Sequence, residues 1–182
     1  IAVGAPGVGV GSVAVLLLTA DAHIARHGIV TTSAHALGVD AQHLPEGSHF
    51  GSALAALPAP CASACVGLLI GIPRFAGGRK FTHAGAIALY SVDDTLTVQL
   101  HTLVTGEHPL LALPGVQPAG FGGAIAVLGG TGDAANATMV AVAAPASVEN
   151  AKVAGAVFVL RFSGAAVLEA TVIRRSRFPL AG

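Results

Sequence analysis

The chain has 182 residues, 53% hydrophobic and only 10% charged, with nine basic and nine acidic side chains. Zero formal net charge excludes a basic footprint for nucleic acid and a polybasic membrane patch. An aromatic content of 4% without tryptophan argues against base-stacking platforms and aromatic cages, and so apolar a chain is not disordered.

The length allows one domain, or two small ones, and is ample for a buried core. The apolar mass rests on small residues, with 37 alanines and 24 glycines. The chain opens on Ile1 without an initiator Met or a signal-type segment and reads as a piece of something longer.

In chain order, the first predicted strand is the apolar run at 13–18 (VAVLLL), led by Gly11 and Ser12. Uncharged residues fill 50–73, broken by Pro58 and Pro60. A second short run lies at 86–90 (AIALY) behind Gly85, and 95–103 alternates through Leu96, Val98 and Leu100. A second uncharged stretch, 109–132, carries Pro109, Pro114 and Pro118 together with seven glycines. The last strands are 156–160 (AVFVL) behind Gly155 and 166–173, which alternates less cleanly. Short runs bounded by Gly and Pro read as strands. A mean hydropathy of +0.76 calls for a membrane test, and the breakers inside both uncharged stretches argue against a spanning helix. The fold class expected is all-β.

Internal repetition organises the chain. IAVGAP at 1–6 followed by the run after Gly11 recurs as LIGIP at 69–73 followed by the run after Gly85. It recurs again as VAVAAP at 140–145 followed by the run after Gly155. Between the copies stand FGSALAAL at 50–57 and FGGAIAVL at 121–128. Successive prolines of the copies, Pro6, Pro73 and Pro145, are 67 and 72 residues apart, and the two Phe-Gly pairs are 71 apart. Each repeat yields four short antiparallel strands, which is the make-up of a propeller blade. A single 182-residue domain follows: a partial blade at 1–30, blades at 50–103 and 121–173, and long rim connections at 31–49 and 104–120. The arc is open, because two full blades and a partial one cannot close a ring of about four to eight. It should expose apolar end faces and should self-associate, aggregate or require further blades.

Phe-Gly, then Gly-Ala-Pro some twenty residues later, then a Gly-led strand, resembles the FG-GAP repeat of integrin α-like β-propellers. Gly4-Ala5-Pro6, Phe50-Gly51 and Phe121-Gly122 match the signature; Gly71-Ile72-Pro73 and Ala143-Ala144-Pro145 are degraded copies. The resemblance implies a non-catalytic module at the cell surface or outside the cell, presenting loops to a protein or glycan. It also implies calcium in Asp-rich loops, which needs six to eight hard ligands. The first such loop, 58–67, has no carboxylate, and the second offers only Asp133, Asn136 and two threonines, so calcium is expected to be lost and no cofactor is expected.

Physically, a Gly after Phe permits close approach of backbones, and proline at a strand end removes a ladder donor. Cys61 and Cys65 share the first loop. Two separate buried thiols are the favoured reading, with a disulfide staple as the alternative. Asn136-Ala137-Thr138 is a glycosylation sequon. The competing function is a nucleotide-binding enzyme that uses the glycine-rich loop at 4–12. It lacks the Lys a phosphate loop needs, and 13–18 reads as strand where such a loop demands a helix. His23 and His27 lack the Glu of a zinc-protease helix; His35, His43 and His49 lie in a polar connection. Neither Asp93-Asp94 nor the basic cluster Arg174-Arg175-Ser176-Arg177 falls in a recognisable site.

Overall fold

The computed structural model describes residues 1–7, 9–31, 44, 46–58, 65–76, 83–112, 116–130, 137–149 and 152–174. Among these residues there is no α-helix, and the strands assemble into four antiparallel sheets, none of them closed. Sheet I holds β1 (Ala2–Ala5), β2 (Ser12–Leu18) and β3 (Ile24–Thr31) in that order. Sheet II runs β4 (Leu54–Leu57), β5 (Cys65–Ile72), β6 (Ala86–Asp93), β7 (Val98–Thr105). A small sheet joins β8 (Val116–Gln117) to the hairpin β11 (Val148–Glu149) and β12 (Lys152–Val153). Sheet III runs β9 (Ala124–Gly130), β10 (Thr138–Ala144), β13 (Ala156–Ser163), β14 (Ala166–Arg174).

The three Gly-led runs are strands β2, β6 and β13, each an inner strand of its sheet, between β1 and β3, β5 and β7, and β10 and β14 respectively. Register makes them equivalent: Gly4 pairs with Val13, Gly71 with Ile87 and Ala143 with Val157. Among the described residues, sheet I has no strand beyond β1 in the place that β4 and β9 occupy beside β5 and β10.

Sheet II lies between the other two large sheets. One face (Leu68, Ile70, Ile72, Ala88, Tyr90) packs with Val13, Val15 and Phe50. The opposite face (Leu57, Leu69, Ile87, Leu89, Val104) packs with Val140, Val142, Phe158 and Leu160. A strand covered on both faces is buried at consecutive positions, as β5 is over 67–72 and β6 over 86–92, whereas β10 alternates buried with half-buried residues. Each fully buried Leu or Ile stabilises the fold by about 1.5–3 kcal/mol.

Two expectations need correction. Strand β7 begins at Val98 and not at Thr95, because Asp93 captures the backbone of Thr95 and Thr97 in a turn. The connection 104–120 is more than a rim loop: a 3₁₀ turn at Pro109–Leu111 drives Leu111 into the core between sheets II and III, and Val116 follows it there. Most of the connection 31–49 lies outside the described residues, although Leu44 is buried in the core between sheets I and II.

Candidate functional site

The motif residues gather at the two joints between sheets. Between sheets I and II, Gly11 forms an isolated parallel bridge with Phe50, and the Phe50 amide donates to the Val10 carbonyl at 3.0 Å. Between sheets II and III, Gly85 bridges Phe121 in the same way, and the Phe121 amide donates to the Ala84 carbonyl at 3.2 Å. Gly51 and Gly122 follow with φ of +88° and +91°, where a side chain is disfavoured. The Gly51 amide donates to the Gly71 carbonyl at 3.0 Å, and the Gly122 amide to the Ala143 carbonyl at 3.1 Å. A Cβ on Gly4 would run into the Gly51 carbonyl oxygen, and one on Gly71 into that of Gly122. These contacts string Gly4, Gly51, Gly71, Gly122 and Ala143 across three sheets.

Both phenylalanines are fully buried at these joints. Phe50 meets Tyr90 edge-on with ring centroids 6.3 Å apart, and Phe121 meets Phe158 edge-on at 5.5 Å. Such geometry suits the ring quadrupoles. The Tyr90 hydroxyl is buried with no hydrogen-bond partner among the described residues, and burial pushes its pKa well up. Ala5, Ile72 and Ala144 end their strands, and Pro6, Pro73 and Pro145 follow immediately. Their missing amide donors close each ladder there.

At the opposite end of sheet II, an Asp-centred hairpin faces sheet I. The Asp93 Oδ1 accepts from the Thr95 amide (2.9 Å), the Thr95 hydroxyl (2.7 Å) and the Thr97 amide (2.8 Å). The Thr95 hydroxyl and the Thr97 amide hold the Asp93 carboxyl below its ordinary value. Arg26 of sheet I donates to the carbonyls of Asp94 (3.4 Å) and Thr95 (3.3 Å), tying the hairpin tip to β3. Sheet I repeats this hairpin over residues 19–23. There the Thr19 hydroxyl oxygen accepts from the His23 amide at 3.1 Å, and Ala22 holds the left-handed φ (+61°) that Leu96 holds in sheet II (+65°).

Beside these tips a cleft of about 530 Å³ opens between sheets I and II. Its walls are apolar (Val15, Leu17, Ala56, Val66, Leu68), and Asp93 and Asp94 stand at its edge. A concave apolar site with few polar groups is the usual form of a ligand pocket. No sequence motif pointed to it, since its lining comes from five strands, β1, β2, β4, β5 and β6.

Cys65 opens β5 in a half-buried position and is disulfide-bonded, which corrects the reading of two separate buried thiols. A half-buried sulfur at a strand end is not sealed in the core and can meet a partner, and the chain's only other cysteine is Cys61. Cys61 lies outside the described residues, as do Asp133, Asn136, His35, His43, and residues 175–177 of the basic cluster. Arg174 pairs with Glu149 at 3.2 Å. His23 sits in the β2–β3 turn and His27 in β3, both exposed, and His49 precedes Phe50 with φ +61°.

The glycine-rich segment at 4–12 leads into strand β2, so it presents no helix N-terminus to a phosphate. Among the described residues, no three His, Cys, Asp or Glu side chains gather as a metal-holding group, and no helix is long and apolar enough to cross a membrane. The sequence matches no protein-family model and no curated protein.

Proposed function

We propose that this chain is a non-catalytic binding module of FG-GAP type, in which sheets I, II and III are successive blades of an open propeller arc at the cell surface or outside the cell. The observation that carries this reading is the joint made twice by the same motif positions, Gly4 with Gly51 and Gly71 with Gly122. A scaffold repeated in this way presents its hairpin tips side by side, and recognition resides in such tips while the sheets stay fixed. The disulfide at Cys65 fits an oxidising compartment.

Within this reading, the cleft between sheets I and II receives an apolar side chain of a protein ligand, and the Asp93–Thr97 and Thr19–His23 hairpins contact the residues that flank it. An apolar wall suits such a side chain better than a glycan, whose hydroxyls would go unpaired there. Calcium has no part in the proposal.

The test is binding of the purified chain to surfaces coated with collagen, fibrinogen, laminin or a glycan panel, with Val66→Glu in parallel. Val66 lines the cleft and is 56% exposed, so the new charge spoils the cleft and spares the fold. The expected outcome is saturable binding to a protein surface that is lost in the variant. Binding to glycans alone, binding to none of these surfaces, or micromolar binding of ATP in a calorimeter would each overturn the reading.

A further inference from the structure

Register sets the three large sheets in correspondence, position for position. Each has a forward face, toward the sheet that follows, and a backward face, toward the sheet before. On the backward face, Ala56, Val66 and Val92 of sheet II correspond to Val127, Thr138 and Phe162 of sheet III. In the joint between sheets II and III, Phe162 is 2% exposed and Thr138, its cross-strand partner, 6%. The phenyl ring seals that joint. In the joint between sheets I and II, the cross-strand partner of Val92 is Val66, which is 56% exposed. The cleft of about 530 Å³ lies against these residues. Two differences inside sheet II make room there: Val92 is smaller than Phe162, and Ala56 is smaller than Val127.

The facing wall corresponds as well. Val15 and Leu17 on the forward face of sheet I stand where sheet II has Leu89 and Ser91, so the first joint is apolar on both sides. Its rim is charged, unlike that of the second joint. The turn after Val92 is Asp93-Asp94-Thr95-Leu96-Thr97, and the turn after Phe162 is Ser163-Gly164-Ala165. Asp93 spends its Oδ1 on three internal hydrogen bonds, and Arg26 is engaged by the Asp94 and Thr95 carbonyls. The Asp94 carboxylate is exposed at the edge of the cleft and forms no ion pair among the described residues.

We propose that the cleft receives a phenylalanine of the protein ligand, its ring taking the place that Phe162 fills in the next joint, with a lysine or arginine beside it in the ligand drawn to Asp94. This inference rests on the binding-module reading above and adds to it the side chain recognised and the charge of its neighbour. A narrower aliphatic side chain would leave wall atoms without contacts. An acidic neighbour would be repelled by Asp94, and both charge effects fade as salt screens them.

Methyl-resolved NMR titration with blocked dipeptide amides in the millimolar range tests it, using phenylalanyl-lysine, leucyl-lysine and phenylalanyl-glutamate. Saturable shifts at the Val15, Val66 and Val92 methyls are expected with phenylalanyl-lysine. The other two should bind at least about threefold more weakly, and the deficit of the glutamate peptide should shrink in high salt. Val92→Phe supplies the ring from within, as sheet III does, and should abolish the response at Val66 while far-UV circular dichroism shows the sheets intact. Should that variant unfold, Val66→Phe at an exposed position blocks the same space. No saturable shift, an equal response to all three peptides, or a response that survives the blocking variant overturns the proposal. So does self-association of the wild type that Val92→Phe abolishes, which would put a second copy in the cleft. Binding to a protein-coated surface without a response to the dipeptide overturns this inference alone. A dipeptide response without binding to any coated surface overturns the module reading alone.

Discussion

At the level of single residues, the two joints explain each other's anomalies. His49 and Gly120 both precede the Phe of a Phe-Gly turn and both have positive φ, +61° and +72°. Their carbonyls accept equivalent bonds, from the Ser52 amide at 3.2 Å and the Gly123 amide at 3.0 Å. A left-handed conformation costs a non-glycine residue about 1–2 kcal/mol, and the extra freedom of glycine in the unfolded chain offsets part of that. His49→Gly should therefore raise stability by about 0.5–1 kcal/mol. A urea titration checks this, and a loss of stability would mean that the imidazole contributes packing.

Among the elements, the Asp93 hairpin shows where alternation misleads. Leu96, Val98 and Leu100 alternate as a strand would, and two of the three do lie in β7. Leu96 does not, because a carboxylate two to four residues upstream can take over backbone donors that a ladder would otherwise use. The Asp at position 93 was visible in the sequence; which donors it would take was not. The Asp93 carboxyl is held below its ordinary pKa, so its ionised form favours the folded state. That contribution is present above the unfolded value and disappears as pH falls through the depressed folded value. Comparing the wild type with Asp93→Asn in urea from neutral pH downward should show the wild-type advantage at neutral pH vanishing in acid. A gap that is constant with pH would contradict the role given to this carboxylate. The small sheet shows the other limit of legibility: two-residue strands such as β8 and β11 have no period to detect. The Gly-led strands were legible because a glycine opens each apolar run, at Gly11, Gly85 and Gly155.

Over the whole molecule, sheet II is the common wall of both cores, so the two joints should respond differently to the same insult. Gly51→Ala and Gly122→Ala each place a methyl group at a positive-φ position that also meets backbone, the Ser12 carbonyl oxygen at 2.7 Å for Gly51 and the Ala86 carbonyl oxygen for Gly122. A cost of at least about 1–3 kcal/mol is expected for each. Gly122 joins the two four-stranded sheets, so its variant should lower the global unfolding midpoint. Gly51 secures only the three strands of sheet I, so its variant should mainly accelerate amide exchange in β1–β3 and leave β10 and β13 protected. Uniform loss of protection in both variants, or no loss in either, would show that the joints do not divide the molecule in this way. The stack of sheets could be anticipated from the spacing of the repeats. The cleft could not, since burial of one sheet on another depends on contacts between residues such as Val15 and Leu68, which no local pattern links.

The fit between a Phe-Gly turn and the glycine of the preceding sheet also bears on how such a chain can lengthen. Each unit of about seventy residues brings a plug, the Phe-Gly turn that opens it, and a socket, the forward glycine a little further on. The plug of one unit enters the socket of its predecessor, so tandem duplication of a unit yields a new, already matched pair with no compensating mutation. Gly71 has its socket filled by Gly122 while the plug of its own unit, Gly51, fills that of Gly4. The substitution at Ala143 breaks this series at a single methyl group, and a duplicate inserted after it would arrive with a plug and find no socket.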